Sequence, residues 1–202
     1  MVLMKILISA TKGGTGKTTT SVFLTDVLHR RGHKVALIDA DYEQRSAANA
    51  WCQNFEPGWA CYPGDEIPDE FDDQDYDYVI IDSAPGERAR LVTLLALVDA
   101  IVIPAKPELG DLFATTEVVE LAARHATLAP PPVVLLSRVD LRSVPQVVEC
   151  RTWLAENSIP AFQTIIPQRV DIHRAFLSEP GSSRSGMVAY GEFANELLAR
   201  LA

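Results

Sequence analysis

The residues best suited to chemistry stand in one run, Thr11-Lys12-Gly13-Gly14-Thr15-Gly16-Lys17-Thr18-Thr19. Gly13, Gly14 and Gly16 allow the backbone to curl with its N–H groups turned inward around phosphate oxygens. A helix that starts at the end of the run adds its positive pole. Lys17 then meets the β and γ phosphates, the Thr18 hydroxyl ligates magnesium, and Thr15 and Thr19 belong to the same cradle. The ordinary phosphate-loop pattern, G-x-x-x-x-G-K-S/T, fails by one position because Thr11 replaces its first glycine. Asp39 and Asp41 follow the apolar run at 34–38 with one residue between them, so continued strand geometry points both carboxylates the same way. One of the pair suits a magnesium-bound water and the other the orientation of an attacking water. Asp82 closes the apolar run Tyr78-Val79-Ile80-Ile81-Asp82 and suits a magnesium-bound water as well.

These groups need a scaffold that brings several strand ends together. The apolar patterning predicts strands over 3–9, 34–38, 78–81, 100–103 and 133–136, with a short one near 162–166. Helical spacing covers 17–31, 45–54, 87–97, 111–127, 145–156, 171–177 and 187–201. The strand runs are continuous and β-branched rather than alternating, as in strands covered on both faces. The expected fold is α/β: a predominantly parallel twisted sheet with helices on both faces. In such a sheet ligands sit at the carboxyl ends of the strands. No repeat or linker divides the 202 residues, so a single domain over 1–202 is expected. The first strand starts too early to leave room for an N-terminal helix-turn-helix domain.

Composition narrows the class. With 48% apolar and 22% charged residues, the chain has the make-up of an ordinary globular domain that needs no covalent staple. Its longest apolar runs fall far short of the roughly 20 residues of a membrane span, and its N-terminus lacks the shape of a signal peptide. Cys52, Cys61 and Cys150 suggest neither a disulfide framework nor a zinc site, and the four histidines are scattered singly. A cytoplasmic protein is expected. The net charge of −9 opposes non-specific binding to nucleic acid as a whole. From Val134 onward, however, seven arginines balance seven acids, and no lysine follows Lys106, which allows a local arginine patch. Eight of the thirteen residues at 65–77 are acidic, the mark of a solvated loop.

Lys12, five positions before Lys17, completes the pattern K-G-G-x-G-K-S/T. Through it the chain resembles the ParA/MinD family of deviant Walker A P-loop ATPases, along most of its length. The resemblance implies ATP and Mg2+ as cofactors and a homodimer that sandwiches ATP, with Lys12 reaching the phosphates of the facing subunit. It assigns Asp39 to the magnesium shell and Asp41 to the attacking water, although Tyr42-Glu43-Gln44 stands where the family commonly has Pro-Gln. Asp82-Ser83-Ala84-Pro85 is similar to the family's D-S/T-x-P segment, which implies a magnesium role for Asp82 alongside Thr18. Ile166-Pro167-Gln168-Arg169, followed by Ala175, resembles the family's I-P-x-R…A segment, a loop that lines the adenine pocket, so Pro167 joins the nucleotide-binding set. Arg138, in Ser137-Arg138-Val139-Asp140, reads either as a residue stacked on adenine or as a plain surface arginine. Arg169, Arg174 and Arg184 read either as DNA contacts or as part of a solvated face.

Among the family's branches, the membrane-binding one is disfavoured because the terminal segment carries too little positive charge. The nitrogenase-type reductases are disfavoured because the cysteines stand in the wrong places. The nearest resemblance is to the small ParF-like plasmid partition ATPases. It implies an ATP-bound dimer that binds DNA non-specifically, associates with the nucleoid, and hydrolyses ATP slowly until a small centromere-binding or cargo adaptor protein stimulates it. The alternatives are a cargo-positioning ATPase of the McdA or conjugative-transfer type, and an ATP-dependent metabolic enzyme.

Overall fold

The computed structural model describes residues 3–40, 58–63, 75–84, 86, 88–126, 130–176 and 178–201. The helix expected at 45–54, most of the acidic segment, and Asp41 lie outside them. The strands are β1 (Met4–Ile8), β2 (Val35–Asp39), β3 (Ala60–Pro63), β4 (Tyr78–Asp82), β5 (Ala100–Ala105), β6 (Val133–Val139) and β7 (Ala161–Pro167). Six helices occur among the described residues: α1 (Lys17–Arg30), α2 (Arg88–Leu95), α3 (Leu109–His125), α4 (Val144–Glu156), α5 (Val170–Phe176) and α6 (Arg184–Leu201). The strands form one sheet in the order β3-β2-β4-β1-β5-β6-β7, and every ladder is parallel. This is the expected α/β architecture.

The apolar runs are continuous because each strand is covered twice. Ile6, Ile8, Leu37, Ile80 and Val102 pack with α1 and α6 through Val22, Phe23, Leu28, Tyr190 and Phe193. Their sequence neighbours Leu7, Ile38, Val79, Ile81 and Ile101 pack on the opposite side with Leu94, Leu112, Cys150 and Leu154. The alternation follows from the two-residue period of a strand. Helix α1 lies deepest, with Val22, Phe23, Leu24 and Leu28 all fully buried. Its approach to α6 requires a glycine: a Cβ on Gly186 would stand 2.6 Å from the Phe23 ring. The Phe23 and Tyr190 rings stack there at 4.7 Å.

Several boundaries differ from the sequence expectation for local reasons. Strand β3 was not expected, since Ala60-Cys61-Tyr62-Pro63 is short and carries no β-branched residue; it is an edge strand whose pairing with β2 defines it. Helix α6 begins at Arg184 rather than Met187, because the Ser183 hydroxyl accepts the Gly186 N–H at 2.9 Å and so caps an earlier turn. The opposite edge, β7, is protected by a side chain, with Glu196 accepting the backbone N–H groups of Gln163 and Thr164 at 2.7 and 2.9 Å. Cys150 is a buried free thiol, whereas Cys61 is disulfide-bonded, which corrects the expectation drawn from cysteine number and spacing.

Register places the chemistry. Asp39 pairs with Asp82 across β2 and β4, and Ile8 pairs with Asp82 across β1 and β4. The ends of three adjacent strands are therefore level, and the glycine-rich run leaves β1 at that level.

Candidate functional site

The loop after β1 turns through two left-handed residues, Gly14 at φ 72° and Gly16 at φ 93°. A side chain at either position would be strained, so the K-G-G-T-G-K spelling follows from the backbone path. The Gly16 carbonyl accepts the first helical hydrogen bond, from Thr20 at 2.9 Å, so α1 starts with its N-terminus against the loop. Gly13 has open space around its Cβ position. Thr15 is buried, and its hydroxyl has no partner among the described residues. Lys17 is nearly buried, and its ammonium donates back to the Lys12 carbonyl at 3.4 Å.

Beneath the loop lie the two described carboxylates, both almost completely buried. The Ser21 hydroxyl, one helical turn after Lys17, donates to Asp82 at 3.1 Å, and the Thr18 hydroxyl also hydrogen-bonds to Asp82. Burial pushes the Asp82 carboxyl up to about 7; the Asp39 charge adds to the rise, while Thr18, Lys17 and Ser21 oppose it. A buried pair of acids in this condition is short of positive charge. Thr18, Asp39 and Asp82 therefore fit a hard divalent cation with oxygen ligands, directly or through water. The Ser83 hydroxyl is likewise buried, without a partner among the described residues.

A cavity of about 750 Å³ opens from the loop toward the ends of β6 and β7. Gly14, Gly16, Lys17, Thr18 and Thr19 line it together with Arg138 and Pro167. The structure thus gathers into one cavity residues from three segments that are remote in sequence. Its volume suits a nucleotide-sized ligand. Arg138 adopts φ 54°, a strained conformation for a residue other than glycine, and its guanidinium donates to the Gly14 carbonyl at 2.9 Å. Its neighbour Ser137 is buried and donates to the Thr15 carbonyl.

Ser137 and Ser21 were not singled out by sequence reasoning. Ser21 had one usable signal, its position a helical turn beyond Lys17, whereas Ser137 reaches a loop 122 residues away. Nor was Asp111. The Lys12 ammonium rests on this chain's own α3, on the Asp111 carboxylate at 2.9 Å and the Gly110 carbonyl at 2.7 Å. Arg169, Arg174 and Arg184 are all exposed, and among the described residues none of them forms an ion pair with an acid.

Comparison with known proteins agrees with this geometry. The family described as the CobQ/CobB/MinD/ParA nucleotide binding domain matches residues 6–180. The maintenance of carboxysome distribution protein A of Gloeobacter kilaueensis is 33% identical, over 77% of this chain and 72% of that protein. The chromosome-partitioning ATPase Soj of Thermus thermophilus is 24% identical, over 98% of this chain and 96% of that protein. A solved plasmid partition protein from Borrelia burgdorferi, bound to AMPPNP, has the same fold. Its TM-score is 0.76 at 17% identity, covering 98% of this chain and 99% of the other.

Proposed function

The chain belongs to the CobQ/CobB/MinD/ParA nucleotide-binding family, and from that membership we propose that it is an ATP-dependent switch that partitions DNA or positions a cargo on it. The observation that carries this reading is the single cavity joining the glycine loop, Lys17 and Thr18 to Arg138 and Pro167. In it the loop N–H groups and Lys17 would hold the phosphates, and Thr18, with Asp39 and Asp82 at the adjoining strand ends, would hold magnesium. Bound magnesium supplies charge neutralisation at the phosphates. Two copies close over ATP, with Lys12 of each reaching the other's phosphates, and Asp41 orients the attacking water. The closed form binds DNA non-specifically through exposed arginines, Arg169, Arg174 and Arg184 among them, which the lack of ion pairs at these three residues supports. A small adaptor protein bound to the cargo stimulates hydrolysis and resets the dimer. The dimer and the monomer must differ in DNA affinity for such a switch to work.

A second reading within the same mechanism is cargo positioning of the kind named for the 33% identical Gloeobacter relative. The adaptor protein, not the nucleotide site, separates that reading from partition. One experiment tests the shared core: random duplex DNA is titrated with the protein in the presence of Mg-ATP, Mg-ADP or neither. Binding confined to Mg-ATP and weakening steeply with salt is expected. DNA binding that ignores the nucleotide contradicts the switch, and no DNA binding with fast single-substrate turnover points instead to a metabolic enzyme. Asp41→Ala is expected to abolish hydrolysis and to keep ATP-driven dimers, as read by phosphate release and light scattering.

A further inference from the structure

We propose that Asp111 is a positioning residue that parks the Lys12 ammonium on its own chain, so that Lys12 reaches a second subunit only when this ion pair opens. The inference rests on the reading of Lys12 given under Proposed function.

The two partners differ in freedom. The Lys12 side chain is 47% exposed and that of Asp111 only 7%, so the acid is the fixed member and the lysine the one that can leave. The seat is built for an ammonium. Asp111 Oδ1 accepts at 2.9 Å and the Gly110 carbonyl at 2.7 Å, from adjacent residues of the first turn of α3. Asp111 Oδ2 is buried with no partner among the described residues, so Lys12 is the cation that compensates this carboxylate. The start of α3 supplies only a fractional positive charge to it. Withdrawing Lys12 leaves a buried acid uncompensated, which is costly. The lysine therefore stays in place until a stronger anion, the triphosphate held by a facing copy, competes for it. The same loop is held from the other side, where the Lys17 ammonium donates to the Lys12 carbonyl. Occupation of the phosphate site by nucleotide thus acts on both ends of Lys12.

The test uses the full chain and two readouts. Lysine acetylation of nucleotide-free protein, followed by peptide mass spectrometry with Lys34 as reference for reagent dose, reports the parked state directly. Asp111→Asn is expected to speed Lys12 acetylation by roughly 3- to 10-fold. Gly110→Ala, whose Cβ meets the ammonium only at ordinary contact distance and which keeps the carboxylate, should leave it near the wild-type rate. Unchanged Lys12 reactivity in Asp111→Asn overturns the parked state. In Mg-ATP, Asp111→Asn is expected to tighten dimerisation severalfold by analytical ultracentrifugation, and to have no effect in a Lys12→Ala background. An unchanged or weaker dimer, or an equal effect without Lys12, overturns the gating role. If wild-type protein stays monomeric in Mg-ATP, the switch reading fails, while the labelling experiment still decides whether Lys12 is parked.

Discussion

Two parts of the candidate site are built by different means. In the glycine loop, one stretch of nine residues supplies the loop, the lysine and the hydroxyl, and a level set of strand ends supplies Asp39 and Asp82. In the other part, the ends of β6 and β7 come together from distant parts of the chain, and both polar residues of β6 hydrogen-bond back to carbonyls of the glycine loop. The first part grips by contiguity and the second braces by topology. Loss of a gripping group should therefore weaken binding far more than loss of a brace.

The largest expected effect is at Lys17. Lys17→Ala removes a charge-assisted contact and should weaken Mg-ATP binding by about 100-fold, as read by calorimetry. Asp82 comes next, and its effect depends on pH. Its carboxyl sits at about 7 against an ordinary value of 3.8, so the folded protein holds this proton more tightly than the unfolded chain does. The group's contribution to stability is thus fully present below about pH 4 and is lost as pH rises through about 7. Nucleotide-free wild type should melt progressively lower than Asp82→Asn across that window, by roughly 2–4 °C for each kcal/mol lost. Added Mg-ATP should stabilise wild type and not the variant, which paired melting curves at acid and mildly alkaline pH would show.

Smaller effects belong to the braces. Ser137→Ala should cost about 1 kcal/mol, or about fivefold in nucleotide affinity, with little change in the pattern of bound product. Arg138→Gly should separate stability from binding: relief of the left-handed backbone raises stability by up to about 1 kcal/mol, while loss of the bond to Gly14 lowers affinity by a few-fold. Equal losses at Ser137 and Lys17 would erase the distinction between grip and brace.

The same contrast explains what could be read from the amino-acid order. The glycine loop was legible because its geometry forces residue types: a left-handed Gly14 and Gly16, then Lys17 and Thr18 opening a helix. The parallel sheet was legible from Leu37, Ile80, Val102 and their neighbours, buried on alternate faces without a break. The part built from β6 and β7 was only half legible. Pro167 and Arg138 were noticed through resemblance, but nothing local marks Ser137 as a partner of Thr15, and nothing marks Asp111 as the seat of Lys12, 99 residues away. Such pairings arise when strands β5 and β6 deliver their ends beside β1, and sequence spacing carries no record of that. Strand β3 escaped for a related reason, since an edge strand of four residues is defined by its neighbour rather than by its own pattern.

The central claim, that the glycine loop and Lys17 hold a triphosphate, is tested most directly by titrating Mg-ATP into wild-type protein and into Lys17→Ala by calorimetry. Saturable one-site binding per chain in the wild type, weakened by about 100-fold in the variant, is the expected result. Absence of binding heat in the wild type, or an isotherm unchanged by the substitution, contradicts the account.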